Sequence, residues 1–491
     1  MLLKASDPYS LHNPSTCERR VYLRYQGEHE EPPGPYEQVL CILGDRHEKA
    51  HLGTFQTVVD LSQASPSERE RRTREEVAKG APIIYQGGIR TKAQLKGVEC
   101  EIVGDPDFLI SESGSYVIRD SKISRRVTEK DHPEIFAQLQ IYGWLYEHTF
   151  GQQPIRLEVH SGTGTIIEIP YAGAAAARQT LEDIASLNQL GQEPYSPVGW
   201  TKCGGCGFKK RCWPMAEKAK DVALVYGIDQ GLAIGLRQQG IESFDQLLSH
   251  FDAASLAELK RPWGKSTQKV GTKADSILRM AKSMATGQEE IIQAPDIPQH
   301  ANYVMFDLEG LPPHLDELEK IYLWGMQVFG ETPGGYRAAC AAFGESGDRQ
   351  GWEGFLNEAK AIFDGYGDIP WVHWHHYEKT NLNRYIERFG DINGIAARVK
   401  NNLLDLLPIT QASVALPLPS YSLKVIEKHI GFKRTQTEFG GEWSMAKYIE
   451  ATESDNETQR VALLDEIKKY NEEDLGATWA ILQWLKSNGT K

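Results

Sequence analysis

Three closely spaced cysteines, Cys203, Cys206 and Cys212, stand as C-x2-C-x5-C in the stretch TKCGGCGFKKRCWP. Three thiolates leave a tetrahedral metal site one ligand short. Cys41, Cys100 and Cys340 stand singly in apolar or extended surroundings, whereas Cys17, in STCERRVYL, is followed by arginines and is the natural fourth. A centre built from Cys17, Cys203, Cys206 and Cys212 would close everything between them into one domain. Zinc and an iron–sulfur cluster are both compatible with this spacing. Seven unevenly spaced cysteines suit a reducing compartment better than a disulfide framework. With no apolar run long enough to span a bilayer and no signal-peptide pattern, the expected location is the cytoplasm, away from membranes.

Between these cysteines lie residues suited to phosphodiester chemistry. Tyr36–Leu52 has the pattern of an amphipathic helix containing G-x-x-H-E, with His47 and Glu48. Val98–Leu109 alternates like a strand, a turn follows at 112–115, and Tyr116–Ile123 reads as the second arm of a hairpin. One arm carries Asp107, the other Asp120 and Lys122, which share a face because side chains repeat every two residues. Two carboxylates and a lysine converging at a sheet edge suit hydrolysis assisted by Mg2+ or Mn2+: the acids hold the cation and the lysine positions or deprotonates water. Glu134–Glu147 reads as a helix with Gln138 and Tyr142 on one face.

G-x-x-H, G-x-x-D, D-x-K and Q-x3-Y in this order resemble the RecB-type branch of the PD-(D/E)-x-K nucleases, a restriction-endonuclease-like α/β fold. The cysteine set resembles its iron–sulfur members, such as the CRISPR-associated RecB-like exonucleases, over roughly residues 1–215. The resemblance implies that His47, Asp107 and Asp120 bind metal and that Lys122 is the catalytic lysine. Gln138 and Tyr142 would support the site or the DNA. Cys17, Cys203, Cys206 and Cys212 would hold a 4Fe–4S cluster as a structural staple, with Lys209, Lys210 and Arg211 available for phosphate. Asp105, beside Asp107, leaves the choice of ligand open, and zinc stays the alternative metal.

Residues 216–290 read as a helical bridge with hairpin-like spots at Ile228–Ile241 and Trp263–Ile277. Val270 and Gly271, followed by Ala274 and Ile277, resemble a helix-hairpin-helix, whose glycine amides bind phosphate without reading sequence. Net charge is −13. Yet residues 258–283 hold seven Lys/Arg (Lys260, Arg261, Lys265, Lys269, Lys273, Arg279 and Lys282), so the total does not exclude nucleic acid. Lys269 and Lys273 are the candidate DNA contacts.

A proline-containing linker, 291–300, precedes a second pattern in 301–491. Tyr303–Leu308 reads as a buried strand carrying Asp307 and Glu309 as D-x-E, and Ile321–Phe329 as the next strand. Downstream, Tyr470 and Asp474 share one face of an acidic helix. D-x-E, then Y-E at Tyr377 and Glu378, then S-L-K, then Y-x3-D resemble the RNase H-like exonucleases of the DnaQ or DEDD type. The resemblance implies two Mg2+ ions held by Asp307, Glu309, Asp474 and Glu378, with Tyr470 orienting the attacking water. Glu378 replaces the usual aspartate and is one methylene longer. Asp405 looks like a structural strand acid, and His373, His375 and His376 lack the partners of a zinc site.

The whole order resembles RecB-like nucleases fused to an RNase H-like domain. The expected function is metal-dependent hydrolysis of DNA at single-stranded or duplex ends. The alternatives are one active nuclease joined to an RNase H-like domain that only binds nucleic acid, or a 3′–5′ exonuclease that processes RNA. No G-x4-G-K-[ST] loop is present, which argues against ATP-driven unwinding.

Overall fold

The hairpin carrying Asp120 forms from Phe108–Glu112 and Ser115–Ser121, with Glu112 opposite Ser115. Ser113 and Gly114 make its two-residue turn at φ +48° and +86°, the double positive φ of a type I′ turn. This is a computed structural model describing all residues except 13–14, 265, 312–319, 343, 438–439 and 489–491; Lys265 thus lies outside the described residues. The first arm is shorter than the alternation predicts. Val98–Gly104 leaves for another sheet, pairing with Ile89–Leu95 and Leu2–Lys4. The break falls at Pro106, which has no N–H for a ladder and restricts the residue before it. Asp107 sits in that break.

By internal contacts the chain forms two units, Met1–Ser196 with Thr201–Lys210, and Pro197–Trp200 with Arg211–Lys491. In the first, a six-stranded sheet runs Val59–Asp60, Ile83–Tyr85, Phe108–Glu112, Ser115–Ser121, Leu157–His160, Ile166–Ile169. Ser115–Ser121 and Leu157–His160 are parallel, so the chain must cross over between them. The helix Pro133–Phe150 makes that crossover and buries Ile135, Leu139, Ile141 and Leu145 with Ile118 and Leu157 in one core.

In the second unit a five-stranded sheet runs Arg337–Cys340, Lys320–Gly330, Asn302–Leu311, Trp371–His373, Leu403–Asp405. The first three strands are antiparallel and the last two run parallel to Asn302–Leu311. Tyr303–Leu308 is buried almost throughout rather than at alternate positions, because both faces are covered. Phe306, Trp324, Trp352, Phe355 and Trp371 fill one face; Tyr303, Met305 and Val372 share the other core with Leu475 and Ile481 of the helix Glu457–Asn488.

The segment 216–290 shares that second core. Ile277 and Met280 pack with Val414 and Tyr421, and Glu290–Ile291, where the linker was expected to begin, pairs with Val414–Ala415. The second hairpin-like spot opens on a β-ribbon, Lys260–Trp263 with Ser266–Lys269, before the helix Ala274–Thr286. Gly264, in the turn, has φ +57°, a conformation glycine adopts without cost. No helix among the described residues is long and apolar enough to cross a membrane.

Candidate active sites

In the first unit Asp107 is held by both neighbouring strands. Its Oδ2 accepts from the Ser121 backbone N–H at 2.7 Å and its Oδ1 from Gln86 Nε2 at 3.2 Å. Asp120 Oδ1 accepts from the Asp107 backbone N–H at 3.2 Å, and Lys122 Nζ lies 2.9 Å from Asp120 Oδ2. Burial first, then the charge of Asp120, pushes Asp107 well above the ordinary carboxylate range. Burial works to lower Lys122, but Asp120, Tyr9 and Asp107 outweigh it and hold the ammonium well above its ordinary value. Two confined acids with one lysine form a donor set short of positive charge, which fits a hard divalent cation.

Asp105 turns outward, 3.4 Å from Arg69, leaving Asp107 as the inward acid. Gln138 and Tyr142 do share a helix face: Gln138 Nε2 donates to Tyr142 Oη at 2.9 Å, and Tyr142 donates to the Asp105 carbonyl at 3.1 Å. They brace the loop that delivers Asp107. His47 lies over the adjacent strand, its Nε2 at 3.2 Å from the His160 carbonyl and its ring stacked on His160 at 4.4 Å. His160 stacks in turn on His51 at 3.8 Å. Burial, then the stacked histidine and Arg119, against which a second positive charge would be repelled, pushes His51 and His160 down to about 4, so both are neutral at pH 7. Tyr9, Gln86 and His160 escaped the sequence reading, since none belongs to a motif; only pairing across strands and helices reveals them.

Cys17 caps the helix Glu18–Tyr25, and the Cys206 backbone N–H donates to the Cys203 carbonyl at 3.4 Å. Burial lowers Lys202, against the opposing pull of Cys17, Cys203 and Cys206. Cys212 lies on the helix Lys209–Ala219, past the boundary between units. Of the three neighbouring cations, Lys210 bonds Glu31 at 2.7 Å.

In the second unit Asp307, Glu309 and Asp474 each bring a carboxylate oxygen within 4.8 Å of the others. Among the described residues this is the one such set; His47, Asp107 and Asp120 are not drawn together as tightly. Asp307 Oδ2 accepts from Asn471 Nδ2 at 2.7 Å. Tyr322 donates to Glu309 at 3.4 Å and lies 2.8 Å from Ser444 Oγ. Lys424 and Arg434 both bond Asp474, and Arg434 also grips Glu427 through two contacts of 2.6 Å. Burial and then Asp474 push Glu309 up to about 8, and Asp307 well above its usual range. Such a set repels itself without a cation, and it fits a hard divalent one.

Tyr470 lies beside these acids, with Lys424 Nζ 4.4 Å from its ring centre. Burial and then Asp474 raise its hydroxyl well above the ordinary range. Glu378 is buried at the start of the helix Tyr377–Phe389 and bonds His373 Nδ1 at 3.2 Å. It stands near enough to raise Asp307 but outside the tight set. Asp405 accepts from the backbone N–H groups of His375 and Leu407 at 2.9 and 3.0 Å. It thereby fixes His375, which has φ +75°. That is the structural part the sequence gives it. Lys269 is paired with Glu258 at 2.5 Å, and Lys273 occupies the turn before the helix Ala274–Thr286.

Two family descriptions match this geometry: the PD-(D/E)XK nuclease superfamily over residues 37–213 and the RNase_H superfamily over residues 304–486. The chain joins a PD-(D/E)XK nuclease domain to an RNase H-like domain. Two nuclease-superfamily domains in one chain support a metal-dependent nuclease. No curated protein matches the chain. A solved structure titled "Crystal structure of SSO0001" is similar at 19% identity and a TM-score of 0.23, covering 43% of this chain and 85% of that one.

Proposed function

We propose that this two-domain nuclease hydrolyses DNA phosphodiesters from strand ends, using a separate metal-dependent site in each domain. The observation that carries the reading is the convergence of Asp307, Glu309 and Asp474 on one spot, with burial and mutual repulsion raising Asp307 and Glu309. In the RNase H-like domain these acids and Glu378 hold Mg2+ or Mn2+, and Tyr470 orients the attacking water. In the PD-(D/E)XK domain His47, Asp107 and Asp120 hold the cation, and Lys122 orients water while balancing charge on the phosphate. A divalent cation, when bound, supplies a nucleophilic water at neutral pH and stabilises charge on the phosphoryl oxygens. Gln138 and Tyr142 keep the Asp105–Asp107 loop in place. Lys209, Lys210, Arg211, Lys269 and Lys273 contact phosphates.

We read Cys17, Cys203, Cys206 and Cys212 as ligands of a 4Fe–4S cluster. This rests on the C-x2-C-x5-C spacing and on the resemblance of the cysteine set to that of the iron–sulfur nucleases. Protein purified without oxygen would then be brown and carry iron; a colourless protein with stoichiometric zinc contradicts the cluster.

End-labelled single-stranded and duplex DNA incubated with Mn2+ tests the main reading. Short products released progressively from one end support end-directed cleavage. Internal cuts in circular DNA at the same rate contradict it, and equal turnover of matched RNA would favour the RNA-processing alternative.

A further inference from the structure

Asp474 carries two cationic side chains on a single oxygen. Its Oδ1 accepts from Lys424 Nζ and from Arg434 Nη2, and Asp474 is one of the three acids whose carboxylate oxygens lie within 4.8 Å of one another. The two cations are held differently. Arg434 is locked: its side chain is 4% exposed, and its Nε and Nη2 reach the two oxygens of Glu427 at 2.6 Å each. Lys424 enters from the first turn of the helix Leu423–His429 on a flexible four-carbon stem, and its side chain is 27% exposed.

A divalent cation drawn to these acids meets that ammonium. Three positive groups around one carboxylate repel one another, and of the two side chains Lys424 is the one with the reach and the solvent access to turn away. Its Nζ is also 4.4 Å from the ring centre of Tyr470, the residue read as orienting water, so a phosphate poised for attack comes within reach of the lysine. Meanwhile its charge opposes the upward push that burial and Asp474 exert on Asp307 and Glu309, as a stand-in for the metal would.

We propose that Lys424 is a displaceable counter-ion of the RNase H-like site: its ammonium rests on Asp474 while the site lacks a divalent cation, and moves to a phosphate oxygen of the substrate strand when one is bound. This rests on the metal-dependent reading of that site and adds a substrate contact made only in the loaded state. Cation and strand thereby assist each other's binding by the same factor.

The test uses the full chain carrying Asp107→Asn and Asp120→Asn, which silences the other metal site. Calorimetric titration gives its Mn2+ affinity without nucleic acid. Fluorescence anisotropy gives its affinity for a labelled single-stranded oligonucleotide in EDTA and in Ca2+, another hard cation that takes oxygen ligands, with the strand checked intact on a gel. Lys424→Met and Lys424→Gln, both folded by circular dichroism, raise Mn2+ affinity about fivefold or more, because a competing charge is gone. In EDTA both bind the strand as the parent does; in Ca2+ both bind it about tenfold more weakly, the worth of a hydrogen bond to a charged group. Unchanged or weaker Mn2+ binding makes Lys424 a structural partner of Asp474 and overturns the proposal. So does a loss of strand affinity equal in EDTA and Ca2+, which marks a standing phosphate contact, or no loss in either. A parent that binds no Mn2+, with Asp307→Ala no different, removes the metal-site reading itself.

Discussion

Asn471 donates from Nδ2 to Asp307 Oδ2 at 2.7 Å, while its Oδ1 accepts from Tyr336 at 3.0 Å. A fully buried amide, fixed at both ends, thus sets the direction of the Asp307 carboxylate. Asn471→Ala should weaken Mn2+ binding at the RNase H-like site about 10- to 100-fold, as loss of such supporting bonds does elsewhere. Gly325→Ala should do the same, because a Cβ at 325 would collide with the Asn471 side chain. Titration of Mn2+ in a background carrying Asp107→Asn and Asp120→Asn isolates this site, and unchanged affinity in both variants would contradict the dependence.

The acidic cluster makes a signed prediction for pH. Glu309 titrates at about 8 in the folded protein without a cation, burial and then Asp474 being the causes. Its ordinary value is 4.5, so between these two values the native state holds a proton that the unfolded chain has lost. The group's contribution to stability therefore falls as pH rises through that window. A bound cation displaces the proton. Calorimetry at pH 7 should show proton release on Mn2+ binding, as heats that change with the buffer's ionisation enthalpy, and the release should fade well above pH 8. Buffer-independent heats at pH 7 would contradict the reading.

Glu378 can be separated from its partner. Burial alone would lower His373, but the bond from Glu378 holds it above the ordinary imidazole value. Glu378→Gln keeps a hydrogen bond to His373 and removes one negative charge. Affinity for a hard cation depends on ligand charge, so Mn2+ binding should weaken by about tenfold or more. Wild-type affinity would make Glu378 only the partner of His373.

Tyr470 offers a kinetic split. If its hydroxyl orients water, Tyr470→Phe should cut kcat of the RNase H-like site by about 100-fold or more. Mn2+ affinity should hold, because burial and then Asp474 keep the hydroxyl protonated, so its loss removes no ligand charge. Equal losses in affinity and kcat would assign it a packing role instead.

Much of this was legible in the sequence because short-range periodicity carries it. Asp120 with Lys122, Gln138 with Tyr142 and Tyr470 with Asp474 depend only on strand or helix repeats; the two helical pairs fall on the expected helices, while the strand carries Asp120 but ends at Ser121, one residue before Lys122. The Val98–Leu109 strand was misjudged because alternation continues across Pro106, and nothing local shows that Val98–Gly104 pairs elsewhere. The bridge looked separate for a related reason. Its apolar face, including Ile277 and Met280, finds its partners at Val414 and Tyr421, far along the chain. Asn471 was hidden in the acidic run YNEED, where only the packing of one helix against two strands gives it a task. The histidine stack His47–His160–His51 likewise joins residues no motif connects.

The central claim is that two independent metal-dependent sites cleave phosphodiesters, and one comparison tests it most directly. Wild type, Lys122→Ala, Asp307→Ala and the double variant, all purified without oxygen, are given end-labelled DNA with Mn2+. Each single variant should lose a separable part of the activity, and the double variant, folded by circular dichroism, should lose all of it. A double variant that degrades DNA as fast as wild type would contradict both sites.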